Sequence, residues 1–180
     1  MGRRLDGIYQ TVWFKGHVPK YAFILWMAYK KKMLTRQKLK RWGYVQDDTC
    51  VLCNGEVEDM NHLFFNCGFS KAVWTEALRR NGITRIVGGW DEECDLAIRE
   101  GKGDNFIARI RKLVLFAAVY LIWQERNCRV FQHMGHDWLY VIRRIEEVIR
   151  EATWFWREKR TYGNWVICRE WGLNDCKVLS

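Results

Sequence analysis

Residues 50–67 bring together four side chains of the kinds that bind metal ions. Their spacing is Cys50-x2-Cys53-x8-His62-x4-Cys67. A Cys-x2-Cys turn presents two thiolates from one tight knuckle, whose backbone N–H groups can point at the sulfur atoms. A short turn through the apolar residues 63–65 can return the last cysteine to the histidine while anchoring in the core. The pattern therefore predicts one tetrahedral Zn²⁺ ion, which is structural because protein atoms fill all four positions.

The cysteines are also compatible with other interpretations. The Cys-x2-Cys pair alone is also compatible with core thiols or a redox pair, but a thioredoxin-like pair needs a βαβ context that the sequence lacks. A second metal site at Cys128, His133 and His136 is an alternative, although its spacing matches no standard pattern and a fourth ligand is not evident. The cysteines interpreted as core or surface thiols are Cys94, Cys128, Cys168 and Cys176.

Composition favours a soluble, intracellular protein. The chain has 180 residues, of which 49% are hydrophobic and eleven are tryptophan, so burial can stabilise it without disulfides. The N-terminus lacks the apolar stretch of a signal peptide, and the most apolar run, residues 113–123, is too short to cross a bilayer. Seven cysteines, an odd number, fit thiols or metal ligands in a reducing compartment. The sequence does not distinguish the nucleus from the cytoplasm. No membrane association is expected.

Apolar periodicity predicts a mainly α-helical fold with the Cys-Cys-His-Cys knuckle embedded in it. Thr35 is expected to cap the second helix, and the first long helix is expected to be amphipathic. Residues 166–168, VIC, are compatible with a short strand. The expected helices cover residues 19–33, 36–42, 70–80, 91–100, about 104–131 and about 137–159.

The net charge of +9 comes from one segment of the chain. Residues 7–46 contain nine basic residues and no acidic ones, whereas the charges of the remaining chain balance. A block of one sign beside aromatic residues is typical of a polyanion-binding site, and the alternative is a solvated helical face. The nine basic residues are Lys15, Lys20, Lys30, Lys31, Lys32, Arg36, Lys38, Lys40 and Arg41.

Nucleic-acid contacts are assigned to this block rather than to the zinc knuckle. Five acidic residues and no basic ones lie between Asp47 and Asp59, so the tip of the knuckle would repel a phosphate backbone. The basic side chains are expected on solvated faces, and Trp42 and Tyr44 beside them are candidates to stack on unpaired bases. The candidate contacts are Lys30, Lys31, Lys32, Arg36, Lys38, Lys40, Arg41, Trp42 and Tyr44.

A series of positions around the ligands forms a specific pattern. They are Trp13, Val18-Pro19-Lys20, Trp26, Leu34-Thr35, Leu39, Cys50-x-Leu52-Cys53, Glu58, His62-Leu63-Phe64-Phe65, Cys67 and Trp74. With them, the segment from Val12 to Trp74 resembles the zinc-binding domain that follows the reverse transcriptase in plant LINE-type, non-LTR retrotransposons. Residues 121–131, LIWQERNCRVF, also resemble a segment often found downstream of that domain. The resemblance implies that the zinc ligands are Cys50, Cys53, His62 and Cys67. It also implies that the chain is an accessory module with RNA or DNA as its partner.

The resemblance does not extend to the enzyme. Tyr44 and Asp47-Asp48 are separated by two residues, whereas the polymerase signature Tyr-x-Asp-Asp has one. No spaced carboxylates on strands suggest a ribonuclease H. The run Lys30–Lys32 is more basic than the family pattern, and Gly68 stands where a proline is common. The sequence therefore predicts no catalytic activity and no small-molecule substrate.

The chain divides into five predicted segments. They are an N-terminal tail (1–11), a reverse-transcriptase-type zinc-binding domain (12–82), a connector (83–103), two long amphipathic helices (104–160) and a C-terminal tail (161–180). Two functions of different classes remain. One is a nucleic-acid-binding module derived from a retrotransposon, and the other is a protein-interaction domain that uses the Trp-rich C-terminal helices; a remnant without selected function is a third possibility.

Overall fold

Helices account for most of the chain, so the predicted mainly α-helical class is confirmed. The computed structural model describes residues 2–14, 16–159, 161–173 and 177–179, and Lys15 and Cys176 lie outside these ranges. A π-helical turn, His62–Asn66, precedes the fourth helix, and two short strands, β1 (Arg157–Lys159) and β2 (Lys177–Leu179), pair in parallel with Arg157 opposite Lys177. The helices are α1 (Gly2–Val12), α2 (Pro19–Tyr29), α3 (Arg36–Arg41), α4 (Gly68–Arg80), α5 (Trp90–Glu100), α6 (Phe106–Gln132), α7 (Trp138–Thr153) and α8 (Tyr162–Glu170).

Side-chain caps set the starts of the two longest helices. Asn105 Oδ1 accepts a hydrogen bond from Ala108 N at 2.9 Å where α6 begins, and Asp137 Oδ1 accepts from Tyr140 N at 2.7 Å where α7 begins. Both helices lie close to their predicted positions. The second is shorter than predicted because the chain leaves the helix after Thr153 and enters β1.

Helix α3 is capped differently from the prediction. Thr35 occupies the N-cap position, but its side chain makes no capping hydrogen bond. Instead, Glu58 Oε1 accepts from Arg36 N at 2.9 Å, and the Glu58 carbonyl accepts from Gln37 N at 3.2 Å. A residue of the zinc knuckle, rather than a neighbour in sequence, therefore satisfies the free N–H groups of this helix.

Helix α6 lies at the centre of the hydrophobic core. It packs against α2, α4, α5, α7 and α8, and the whole run 113–119 is buried. The predicted amphipathic pattern is therefore wrong for the middle of α6, because neighbouring helices cover it on several sides and leave no solvated face. The core is continuous from α1 to α8, so residues of the N-terminal and of the C-terminal helices share it.

Two further segments differ from their sequence interpretation. Residues 166–168 lie in α8 rather than in a strand, and the segment interpreted as an N-terminal tail contains α1. Within the described ranges, none of the helices combines the length and the apolar character needed to cross a membrane.

Candidate metal centre

A short hairpin positions the first two cysteines. An isolated antiparallel bridge lies at its base, and Cys50 N donates to Glu56 O at 2.8 Å. Asn54 N donates to Cys50 O at 2.8 Å, and Asn54 adopts a φ of 54°, so the chain reverses directly after Cys53. These bonds form the Cys-x2-Cys knuckle that the sequence predicts.

A π-helical turn brings the histidine and the third cysteine together. Cys67 N donates to His62 O at 2.6 Å, a hydrogen bond across five residues, as in a π-helix. Residues 63–65 are buried, and Ser70 Oγ donates to Leu63 O at 2.6 Å from the first turn of α4. The four residues between His62 and Cys67 thus act as predicted: they return the cysteine to the histidine and anchor the turn in the core.

The four ligand atoms lie close enough to bind one metal ion. The three Sγ atoms and one ring nitrogen of His62 all lie within 4.8 Å of one another. Cys50 Sγ is 3.9 Å from Cys67 Sγ, and Cys53 Sγ is 3.3 Å from His62 Nε2. Tetrahedral zinc with its usual Zn–S and Zn–N bond lengths separates such atoms by about 3.5–3.8 Å. The donor set and its dimensions therefore fit a single zinc ion, as the sequence predicts.

Hydrogen bonds to the sulfur atoms favour a thiolate at Cys67. The bond from the Cys50 thiol lowers the pKa of Cys67 to about 5 against the effect of burial, and the N–H groups of residues 69–70 contribute. The same thiol–thiol bond, with burial, raises the pKa of Cys50, while the N–H groups of residues 52–53 act in the opposite direction. Backbone N–H groups thus point at both sulfur atoms, which is the environment that thiolate ligands require.

Two ligands face the core and two face solvent. Cys50 and Cys67 are fully buried, His62 is half-buried and Cys53 is exposed. Asp59 Oδ1 accepts from His62 N at 2.7 Å and so fixes the start of the π-helical turn. Three thiolates and one imidazole would complete the coordination of zinc, which would cross-link the hairpin to the π-helical turn.

The other described cysteines do not form a second metal site. Within the described ranges, only the cluster above brings three or more metal-binding side chains together. Cys128 donates to Gln132 Oε1, and His136 Nδ1 lies 3.0 Å from Glu125 Oε2. Cys94 and Cys128 are thiols outside any disulfide, as predicted, whereas Cys168 is disulfide-bonded, contrary to its prediction as a thiol.

A buried ion pair joins the knuckle to α6. Glu58 lies between the ligands Cys53 and His62, and its carboxylate is completely buried. Its Oε1 atom accepts from Arg126 Nε at 3.0 Å and Arg126 Nη2 at 2.8 Å, besides the bond from Arg36 N. Sequence reasoning missed this role, although Glu58 belongs to the family pattern and Arg126 to the downstream segment. No local pattern signals the pair, because both residues lie among other polar residues in the sequence.

Three candidate contacts of the basic segment, defined as residues 30–44, are free cations. Lys30, Lys32 and Arg41 are exposed, and none forms an ion pair with any described residue. Lys30 Nζ lies 4.6 Å from the centroid of the Trp26 ring. Their charges are therefore available to an external anion.

The other four cations already have partners within the protein. Three form exposed or half-exposed ion pairs at 2.8–3.0 Å. Lys38 Nζ donates to Met33 O at 3.0 Å and to the carbonyl of residue 31, and burial lowers the pKa of Lys38. Lys38 thus differs from the expected solvated position. The three ion pairs are Lys31–Asp91, Arg36–Asp47 and Lys40–Asp48.

The two aromatic candidates project from the end of α3. Trp42 is 56% exposed and Tyr44 is 76% exposed, and their rings meet edge to face with centroids 6.5 Å apart. Gly43 between them has a φ of 78°, a conformation that glycine adopts without strain. Both rings are accessible to a planar ligand.

Comparison with known proteins finds a match for the N-terminal part of the chain. Residues 3–74 match the family model described as zinc-binding in reverse transcriptase. The match contains all four ligands and the whole basic segment, and it ends within α4. No curated protein and no solved structure is significantly similar to the chain. The segment that folds around the Cys-Cys-His-Cys cluster therefore matches the zinc-binding domain of reverse transcriptases.

Proposed function

We propose that this chain is a non-catalytic module that binds RNA or DNA through the basic segment, while a structural zinc site fixes the orientation of that segment. The proposal depends on one observation above all: three unpaired cations and two exposed aromatic rings occupy a single segment that is bonded to the zinc knuckle. The closed set of protein ligands and the match to an accessory domain of reverse transcriptases support the absence of catalysis.

Phosphate contacts supply most of the affinity of such a surface. Lys30, Lys32 and Arg41 can each approach a phosphate without giving up a carboxylate partner. Arg36 and Lys40 form ion pairs at the surface, which are worth little, so they can exchange carboxylate for phosphate. Lys38 is left out of the proposed contacts because its ammonium group already binds backbone carbonyls.

The aromatic rings would add contacts that tolerate any base. Stacking of a base on an aromatic side chain is worth about 1–3 kcal/mol and depends little on sequence. Trp42 and Tyr44 are exposed at the end of α3 beside Arg41, so one strand could contact a cation and a ring together. This arrangement favours unpaired over fully paired nucleic acid.

Zinc would act on this surface through Glu58. The carboxylate of Glu58, located between two metal ligands, binds the first N–H group of α3. Metal binding orders the knuckle and with it the residue that caps the basic helix. The order of the matched positions also leads us to infer an origin from a plant LINE-type retrotransposon.

Neutralisation of the free cations tests the proposal. The variant Lys30→Gln/Lys32→Gln/Arg41→Gln loses three positive charges from the basic segment. Its matched control is Arg99→Gln/Arg143→Gln/Arg150→Gln, which removes three exposed cations of α5 and α7 that pair with no described carboxylate. Affinity for labelled single-stranded RNA, single-stranded DNA and duplex DNA is measured by fluorescence anisotropy at several salt concentrations, with zinc content determined for each protein.

The proposal expects the two variants to differ. The first should retain zinc, weaken binding and reduce the slope of log K against log salt by about 2 for single strands, from about 0.7 per phosphate contact. The control should keep the slope of the unaltered protein. Equal effects of both variants would indicate non-specific attraction to the net charge, and the absence of nucleic-acid binding by the unaltered protein would refute the proposal.

One observation supports the alternative of a protein-interaction domain. Four aromatic side chains between residues 154 and 165, after α7, are exposed by more than half of their area. An apolar protein interface built on them would respond little to salt, unlike a phosphate-binding surface. The four residues are Trp154, Phe155, Tyr162 and Trp165.

A further inference from the structure

Helix α6 contacts the turn that carries the first two zinc ligands. Arg129 Nη1 donates to Val51 O at 3.2 Å and to Leu52 O at 3.0 Å. These two carbonyls belong to the residues between Cys50 and Cys53. One guanidinium nitrogen therefore holds the inner part of the knuckle from outside the matched segment 3–74.

The guanidinium of Arg129 is itself fixed on its other sides. Its Nε atom donates to Glu125 Oε1 at 2.8 Å, and its Nη2 atom donates to His136 O at 2.6 Å. Glu125 is buried and also accepts from His136 N at 2.8 Å, so the loop after α6 is bonded to the same carboxylate. The guanidinium carbon lies 4.9 Å from the centroid of the Phe69 ring, two residues after the last ligand. The side chain is thus held in one position by five groups, counting the two carbonyls of the knuckle.

Gly135 allows the loop to approach this arginine closely. A Cβ atom at this position would lie 2.9 Å from Arg129 Nε and 3.3 Å from two of its carbon atoms. Any larger residue must therefore push the guanidinium away from its partners. The close approach links the loop after α6 to the zinc knuckle through one side chain.

We propose that Arg129 is a positioning residue of the zinc site, so that the zinc-binding unit extends to α6 and the loop that follows it. By holding both carbonyls of the knuckle, it sets the separation of the two thiolates before metal binds. Its positive charge also lies beside a site whose three thiolates outweigh the charge of Zn²⁺. Groups that orient ligands in this way usually change metal affinity by about 10–100-fold when they are removed.

The test uses the full chain and needs no nucleic acid. The variants are Arg129→Met, Arg129→Lys and Gly135→Ala, and the matched control is Arg111→Met. Arg111 also lies on α6 and donates to two backbone carbonyls, those of Glu100 at 3.2 Å and Asn81 at 3.4 Å, which do not adjoin a ligand. Zinc affinity is measured by competition with a chromogenic chelator, and the ligand geometry by the absorption bands of the cobalt-substituted protein.

Arg129→Met is expected to lower zinc affinity by about 10–100-fold and to shift the cobalt bands, while Arg111→Met leaves both unchanged. Lysine keeps the charge but cannot reach both carbonyls and both other partners of Arg129. The zinc affinity of Arg129→Lys should therefore lie between those of Arg129→Met and the unaltered protein. Should Arg129→Met fail to fold, Gly135→Ala decides, since it retains the arginine and only displaces it. The proposal would be overturned if Arg129→Met had the zinc affinity and cobalt spectrum of the unaltered protein. The same result in Gly135→Ala would overturn it where Arg129→Met does not fold. An equal loss of affinity in Arg111→Met would also overturn it. The inference rests on the zinc site alone, so it can fail or hold independently of nucleic-acid binding.

Discussion

Removal of Arg126 should destabilise the protein more than removal of the whole ion pair to which it belongs. Arg126 and Glu58 are both almost inaccessible to solvent, and the two bonds between them measure 2.8 and 3.0 Å. Arg126→Met keeps the aliphatic volume but leaves the Glu58 carboxylate buried, with only the N–H group of Arg36 as a hydrogen-bond donor. Loss of one partner of a buried pair costs about 3–5 kcal/mol.

This cost would be a large part of the stability of a domain, which is about 5–15 kcal/mol. For a chain of this size, about 2–4 °C of melting temperature corresponds to 1 kcal/mol, so a loss of about 3–5 kcal/mol should lower the melting temperature of Arg126→Met by about 6–20 °C. The double variant Arg126→Met/Glu58→Leu removes both charges. Apolar replacements of buried pairs are often neutral or stabilising. Here the cap of α3 is lost, at about 1 kcal/mol, and the bonds from Arg126 to Leu34 O and Asn127 Oδ1 are lost in both variants. The double variant should therefore be more stable than Arg126→Met.

Urea unfolding of the zinc-loaded proteins, followed by circular dichroism and tryptophan fluorescence, measures the free energies of unfolding. The free zinc concentration must be the same in all samples, because metal that binds only the folded state adds to its stability. A double variant as unstable as Arg126→Met would contradict the argument, as would a loss below about 1 kcal/mol in Arg126→Met. Either result would indicate that the Glu58 carboxylate is not stranded without its arginine.

Two further predictions concern the zinc ligands and the response to acid. The unaltered protein should contain about one zinc per chain, measured by elemental analysis. The variant Cys53→Ser should lose the zinc and Cys94→Ser should keep it. Equal loss in both variants would mean that the ligands are wrongly assigned. The hydrogen bond from Arg79 lowers the pKa of Glu76 to about 2, so this carboxylate contributes stability above about pH 4.5 that disappears as the pH falls toward 2. Glu76→Gln should accordingly be less stable than the unaltered protein at pH 6 but not near pH 2. Urea unfolding of both proteins in the same metal state measures the difference in the free energy of unfolding. A difference that does not change with pH would contradict the prediction.

Much of the fold and of the zinc site could be predicted from patterns of residues close together in the sequence. The ligands follow from two short spacings, because a knuckle and a single π-helical turn are built from hydrogen bonds between residues a few positions apart. The starts of α6 and α7 follow from Asn105 and Asp137 for the same reason. The segment boundaries and the nucleic-acid contacts remain predictions.

Contacts between distant residues were decided only by the tertiary structure. Sequence reasoning assigned the cap of α3 to Thr35, but packing supplies Glu58, whose partner Arg126 is 68 residues further along the chain. No periodicity relates such a pair, since the distance between them depends on how α6 packs against the knuckle. The same limit applies to Arg129, whose sequence neighbours give no sign that it binds the turn between two cysteines. The sequence by itself determined which side chains form the cluster that can hold zinc, and packing decided which residues hold them in place, because ligand spacing is local whereas burial and ion pairing are not.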